Sequence, residues 1–365
     1  MSNSANQESK FGDQLVVERD RALVKIVLNR PKALNALNDN MKAAIAEALA
    51  TVADGPEIYA IAVRSTDARA FCAGGDIREL ASTAKQDMAT ARHSLAAEYA
   101  LNWQLECFHK PSVALMDGMV MGSGAGISQY TTHRLAGPNY SFAMPETAVG
   151  FFPDVGIAKT LADLPDDIGV YLALTGRRID RNDAFALGLV THCISAQSFD
   201  LICEGLADAQ PIDPLVEGLA EPPGPSSIEA HRVTIAATFC AQSVEAIIGN
   251  LELVGRGIEG SRDWAQSVLY DLAQRSPTSL KVSLRHVLEC RNKSLRETLM
   301  TDYRLGCRFL DSRDFYEGVR AVLVDKDNEP RWQPGALAEL DDATVAAYFA
   351  PIEGGELDLQ IPDDV

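Results

Sequence analysis

Two carboxylates, Glu146 and Asp154, stand eight residues apart on either side of the apolar stretch Ala148-Val149-Gly150-Phe151-Phe152. A carboxyl group set among such residues holds its proton more tightly than one in water, which suits a general acid or base. Each also has a plainer reading: Asp154 can cap the helix that follows, and Glu146 can be a solvated turn residue. Two glycine-rich segments precede them. Phe71-Cys72-Ala73-Gly74-Gly75-Asp76-Ile77 joins a strand-like run to a helix that Asp76 can cap. Its glycines let backbone approach a ligand closely, and an N–H left open there can polarise an oxygen that gathers negative charge. Met121-Gly122-Ser123-Gly124-Ala125-Gly126 can present a second such N–H. This segment fails three other tests. A dinucleotide loop needs glycine at 127, which is Ile. A nucleophile elbow around Ser123 needs glycine at 121 and 125, which are Met and Ala. No Gly-Lys-Ser/Thr follows, as a P-loop requires. The histidines, at 93, 109, 133, 192, 231 and 286, show no paired ligand spacing, so no metal site is expected.

The elements that must position these residues can be read from local patterns. Leu15 to Glu18 and Ala22 to Leu28 read as strands around a turn at Asp20-Arg21. Asn38 or Asp39 can cap an Ala-rich helix from Met41 to Val52. Further strands are expected at Ile58 to Arg64, Ser112 to Met116, Thr132 to Ala136 and Asn139 to Met144, with a long helix from Ala89 to Phe108. Strand, strand, helix units recur to about residue 190, which indicates an α/β fold. Beyond Phe199, prolines at 211, 214, 222, 223 and 225 mark a loop-rich connection into helical segments, one opening at Ser276-Pro277. The organisation expected is a disordered tail over 1–10, a core with the active site over 11–198, a helical region over 199–330 and an acidic extension over 331–365.

Charge and cysteine content limit the function classes. Of 365 residues, 33 are Lys or Arg and 51 are Asp or Glu, a net charge of −18. That argues against a nucleic-acid partner and against a basic membrane-surface protein. The stretch from Trp332 to Val365 holds eight acids and no Lys or Arg, so the rest of the chain carries only −10. That stretch is expected to be solvated and remote from any anionic substrate. Seven scattered cysteines without a Cys-x-x-Cys pair read as free thiols in a reducing compartment. The polar start lacks a signal or transit pattern and no apolar run is long enough to span a bilayer, so a cytoplasmic protein is expected.

Taken in order, these segments resemble the enoyl-CoA hydratase/isomerase (crotonase) superfamily. Leu28-Asn29-Arg30-Pro31-Lys32-Ala33-Leu34-Asn35-Ala36-Leu37 is similar to its N-terminal signature. Within it, the chain looks most like the 3-hydroxyisobutyryl-CoA hydrolases, on residues 141–147, 150–156, 172–176, 276–281 and 314–327. The resemblance implies a crotonase-like spiral of ββα units with a helical C-terminal region. It implies hydrolysis of a short 3-hydroxyacyl-CoA, as in valine degradation. The thioester oxygen would sit between the N–H groups of Gly75 and Ser123, the second a position where relatives usually have Gly. Glu146 and Asp154 would be catalytic, and Glu98, Gly74, Asp76 and Gly122 would contact substrate. CoA is then part of the substrate, and no further cofactor is implied. Hydratases carry one of their two Glu side chains where this chain has Gly126, which counts against hydration. A hydratase or isomerase, or a non-catalytic CoA-binding protein, remains the alternative. A body of −10 must still receive the CoA phosphates, and Lys25, Arg30, Lys32 and Arg78 are the candidate cations. Members of the superfamily often assemble through their C-terminal helices, which leaves a homo-oligomer open.

Overall fold

The computed structural model describes residues 13–257, 259–353 and 355–360; the tail expected over 1–10 lies outside these. Among the described residues eleven strands form two sheets. They are β1 (Leu15–Asp20), β2 (Leu23–Leu28), β3 (Ala60–Ser65), β4 (Ala70–Cys72), β5 (Ser112–Met116), β6 (Met119–Met121), β7 (His133–Ala136), β8 (Ser141–Ala143), β9 (Ile179–Asp180), β10 (His192–Ile194) and β11 (Ala220–Glu221). The larger sheet runs β1-β2-β3-β5-β7-β10-β11 and the smaller β4-β6-β8-β9. All pairs are parallel except the edge pairs β1-β2, β10-β11 and β8-β9.

Chain order explains the architecture. Each of β3, β5 and β7 lies in the large sheet and is followed at once by β4, β6 or β8 in the small one, and then by helix. This is the expected repeated ββα unit. Both faces of the large sheet are covered. Val24, Ile26, Leu28, Ile61, Val63, Ala114 and Met116 join the main core, whereas Leu23, Ala60, Ala62, Val113 and Leu115 pack under helix Phe199–Ala207. Burial on both sides is why these strands read as continuous apolar runs instead of alternating ones. Local capping follows the sequence. Asn38 accepts from the Met41 N–H and starts helix Asp39–Asp54, and Asp76 accepts from Glu79 to start Ile77–Gln86. Each such cap contributes roughly 1 kcal/mol.

Two expectations about organisation change. The boundary at 198 falls inside this packing, because helix Phe199–Ala207 covers the large sheet and β11 completes its edge. The acidic stretch from 331 is not simply solvated. Leu340, Val345, Leu357 and Leu359 are buried. Arg304 meets Glu356 at 2.5 Å, Arg296 donates to the Leu359 carbonyl at 2.6 Å, and the Trp103 indole donates to the Gln360 carbonyl at 2.7 Å. Arg296 and Arg304 on helix Leu295–Leu310 thus neutralise part of the acid run, and with Trp103 of helix Met88–Glu106 they pin it. Among the described residues no helix is long and apolar enough to cross a membrane. All seven cysteines are free.

Candidate active site

The parallel strands β4, β6 and β8 end along one edge of the small sheet. The residues that immediately follow them are Ala73-Gly74-Gly75, Gly122-Ser123 and Met144-Pro145-Glu146. Three segments far apart in sequence therefore meet at the carboxyl ends of neighbouring strands, where parallel sheets place ligands.

The first two segments supply donors. Gly74 has φ 116° and Gly122 φ 45°, so the left-handed turns fall on glycines, and Ser123 keeps an ordinary negative φ. The Leu37 N–H bonds the Gly74 carbonyl at 2.9 Å and the Asp76 N–H bonds the Leu37 carbonyl at 2.8 Å, which leaves the Gly75 N–H between them without an acceptor among the described residues. Ser123 is the first residue of the short helix Ser123–Gly126, so its N–H has no partner one turn back. The two residues are close: a Cβ on Gly75 would lie 2.8 Å from Ser123 Oγ. The Ser123 hydroxyl donates to Glu98 Oε1. Glu98 Oε2 faces Lys42 Nζ at 3.4 Å, and Lys42 also reaches Asp39 at 2.7 Å and Ser94 Oγ at 2.9 Å.

The carboxyls come next. Glu146 opens the short helix Glu146–Val149 and is only 5% exposed. Its Oε1 would stand 3.1 Å from a Cβ on Gly122, and its Oε2 is buried without a hydrogen-bond partner. Burial pushes its pKa up to about 8, against a weak opposing pull from its own backbone N–H. It is therefore not a solvated turn residue. Asp154, 8% exposed, accepts from the Tyr99 hydroxyl at 2.9 Å. Burial, and then the nearby charges of Glu98, Glu146 and Asp302, hold it well above the usual carboxylate range, and the Tyr99 bond pulls the other way. Nor is it a cap: the helix Ile157–Ala162 starts at Gly156 with no side-chain cap. Two crowded acids whose environments differ are the arrangement expected of an acid–base pair. The Cys72 thiol, which donates to the Gly74 carbonyl, is pushed up to about 12 by burial and stays protonated. Among the described residues, no three His, Cys, Asp or Glu side chains are grouped to hold a metal ion.

Not every expected residue joins this centre. Asp76 is occupied by its cap and by Arg30, 2.8 Å away, and both oxygens of Glu98 face protein partners. Lys25 is a correction. It pairs in register with Ala62 of β3, whose side chain faces the second core, and it reaches Glu18 and Asp20 on the hairpin. Side chains alternate along a strand, so Lys25 lies on the sheet face opposite the site. Arg78 donates to the Leu323 carbonyl at 3.0 and 2.6 Å. Lys32 is exposed and pairs with no other described residue. Lys42, Tyr99 and Asp302 were missed by reading motifs. Lys42 had a signal, since it flanks the apolar stripe Met41, Ile45, Ala48, Leu49, Val52 of its helix.

Known proteins resemble this chain along nearly its whole length. A family model described as enoyl-CoA hydratase/isomerase matches residues 23–349. A Xenopus tropicalis protein named 3-hydroxyisobutyryl-CoA hydrolase, mitochondrial, is 38% identical over 97% of this chain and 93% of its own. The human protein of that name is 36% identical over 96% and 92%, and 3-hydroxyisobutyryl-CoA hydrolase 1 of Arabidopsis thaliana is 34% identical over 96% and 94%. Among solved structures, a carnitinyl-CoA dehydratase from Mycobacterium thermoresistibile superposes with a TM-score of 0.89 at 33% identity, covering 96% of this chain and 99% of that one. An enoyl-CoA hydratase from Rhodobacter sphaeroides gives 0.86 at 31%, covering 94% and 99%.

Proposed function

This chain belongs to the enoyl-CoA hydratase/isomerase family, and on that footing we propose that it hydrolyses short 3-hydroxyacyl-CoA thioesters, above all 3-hydroxyisobutyryl-CoA. The observation that carries hydrolysis over hydration is the packing at Gly126. A Cβ there would lie 2.7 Å from Asn102 Nδ2 and 3.0 Å from Val155 Cβ. The direction in which a hydratase's second Glu would extend is filled, so addition of water across a double bond lacks one of its two carboxylates. The second acid here is Asp154, on another segment.

In this reading the thioester oxygen accepts from the Gly75 and Ser123 N–H groups, which stabilise the oxyanion of the tetrahedral intermediate. Removing one such donor typically costs about 10²–10³ in kcat. The ionised Glu146 carboxylate drives the reaction, as nucleophile at the carbonyl carbon or as base toward the attacking water. The C–S bond then breaks with its electron pair on the CoA sulfur, and in the nucleophilic route water next cleaves the Glu146–acyl anhydride to the free acid and the carboxylate. Asp154 binds the 3-hydroxyl and returns a proton to the leaving thiolate. Thiolate leaves readily, so the reading includes no cofactor beyond CoA itself. The chemistry fits the thioester-hydrolysis step of valine degradation. In ¹⁸O water, single-turnover label in Glu146 marks the nucleophilic route, with water adding to the Glu146 carbonyl of the anhydride.

The test is a panel of short acyl-CoAs with free CoA as the readout. 3-Hydroxyisobutyryl-CoA should release CoA fastest, isobutyryl-CoA far more slowly, and crotonyl-CoA should not be hydrated. Hydration of crotonyl-CoA without CoA release would overturn the assignment. A second expectation concerns the phosphates. Lys32 sits on the segment 30–37 that lies alongside the Gly74-Gly75 turn through the Ala73-to-Leu34 and Leu37-to-Gly74 hydrogen bonds. Lys32→Ala should raise KM for acyl-CoA several-fold, on the order of 1 kcal/mol of exposed ion pairing, with kcat kept. An unchanged KM removes Lys32 from the binding surface.

A further inference from the structure

Behind Asp154 lies an ion pair with no contact to solvent. His286, on helix Pro277–Cys290, and Asp302, on helix Leu295–Leu310, are both 0% exposed. His286 Nε2 and Asp302 Oδ1 are 2.6 Å apart. Burial opposes a charged imidazole here, but the Cys290 sulfur and the Asp302 carboxylate outweigh it and raise the His286 pKa to about 10. The mechanism above uses neither residue.

The contacts of this pair bracket one turn. Asp302 Oδ2 accepts from the Gly156 N–H at 2.7 Å, and the His286 ring packs edge-on against Phe152, with centroids 5.8 Å apart at 78°. Between them stand Pro153, Asp154 and Val155. Val155 has φ 54°, a left-handed conformation that a β-branched residue adopts only under constraint. Gly156 follows at φ 75°. A second bond holds the same turn, from the Tyr130 hydroxyl to the Val155 carbonyl at 2.6 Å. Among the described residues the Asp154 side chain has a single hydrogen bond, from Tyr99. Its aim therefore depends on the backbone of the turn, and that backbone is strained and held from behind.

We propose that Asp302, paired with His286, is a positioning residue: it clamps the strained Val155-Gly156 turn so that Asp154 meets the substrate's 3-hydroxyl. This rests on the role given to Asp154 above. An unrelated ion pair tying two helices together would support the fold equally, but it would have no reason to accept the Gly156 N–H.

The experiment compares kcat/KM for 3-hydroxyisobutyryl-CoA and isobutyryl-CoA, which differ by the hydroxyl, in the full-length enzyme and its variants. Asp302→Ala should shrink the preference for the hydroxylated substrate by about 10²-fold, mostly through kcat, since displacement of a catalytic group by about 1 Å has an effect of that size. Asp302→Asn retains a side-chain oxygen for the Gly156 N–H and should recover most of the preference. Tyr130→Phe removes only the second bond and should cause a smaller loss in the same direction; it carries the test if Asp302→Ala does not fold. An unchanged preference in Asp302→Ala, or in Tyr130→Phe when that variant stands in, overturns the proposal. So does an equal fall on both substrates. A wild-type enzyme with no preference removes the role of Asp154 and this inference with it, whereas an intact preference in the variants removes the inference alone.

Discussion

Glu146→Gln should release CoA from 3-hydroxyisobutyryl-CoA at least about 10³-fold more slowly than wild type, as loss of a nucleophile or general base does, and yet unfold at a higher temperature at pH 8. Both effects have one origin. The carboxyl is buried, its Oε2 has no partner, and its pKa rises from 4.5 to about 8. Between those two values the folded protein holds a proton that the unfolded chain has released. Stability therefore falls as pH rises across the window, and above about pH 8 the full penalty, on the order of a few kcal/mol, is present. Glutamine has the same shape and no charge. The gain in melting temperature should be negligible near pH 4.5 and largest above pH 8, with part of it offset because the amide is also buried without partners. Calorimetry at pH 5 and pH 8.5 reads the difference, and a variant less stable than wild type at both would refute the account. The wild-type kcat/KM should rise with pH toward about 8, because only the ionised form can attack or accept a proton.

Gly126→Glu, which restores the carboxylate a hydratase has, should yield neither hydratase nor hydrolase. Every residue of the helix Ser123–Gly126 is buried. The new Cβ would press on Asn102 and on Val155, the neighbour of Asp154, and the rest of the side chain would bring an unpaired charge into the same space. Overpacking costs about 1–3 kcal/mol and a buried unpaired carboxylate several more, enough to unfold a marginally stable domain. Gly126→Ala isolates the first effect and should stay folded, with CoA release reduced through the displaced Asp154 turn. A soluble Gly126→Glu protein that hydrates crotonyl-CoA would show that the pocket is more open than this packing allows.

Much of the centre was legible because its residues sit in contiguous motifs with local logic. Asp76 and Asn38 cap helices where their position before a helical run says they should. Gly74 and Gly122 take conformations that L-residues avoid. What escaped was held by distant contacts. β4 and β6 are three residues each, too short for a strand period to register, and they exist because they pair in parallel with one another and with β8. Lys25 was misplaced because both faces of its strand are covered, so alternation alone does not say which face looks toward the site. Lys42 meets Glu98 across 56 residues and Gly156 meets Asp302 across 146. The acid-rich end looked solvated by composition, but composition does not register Leu357 and Leu359 or the two arginines waiting on helix Leu295–Leu310.

The small sheet separates scaffold from chemistry. Its strands set where three loop tips stand, through backbone ladders indifferent to side chains, while the proposed donors and Glu146 occupy positions just past strand ends and Asp154 stands further along the chain. A change at one tip, made together with the neighbours that pack on it, can therefore remove or import a carboxylate while the paired donors keep their places. Chains named hydratase, dehydratase and hydrolase can share one frame in this way, and on the proposed reading the difference between adding water to a carbon–carbon double bond and cleaving a thioester comes down to which segment holds the second acid. On that reading the donors and Glu146 are the shared apparatus, and the second acid is the interchangeable fitting.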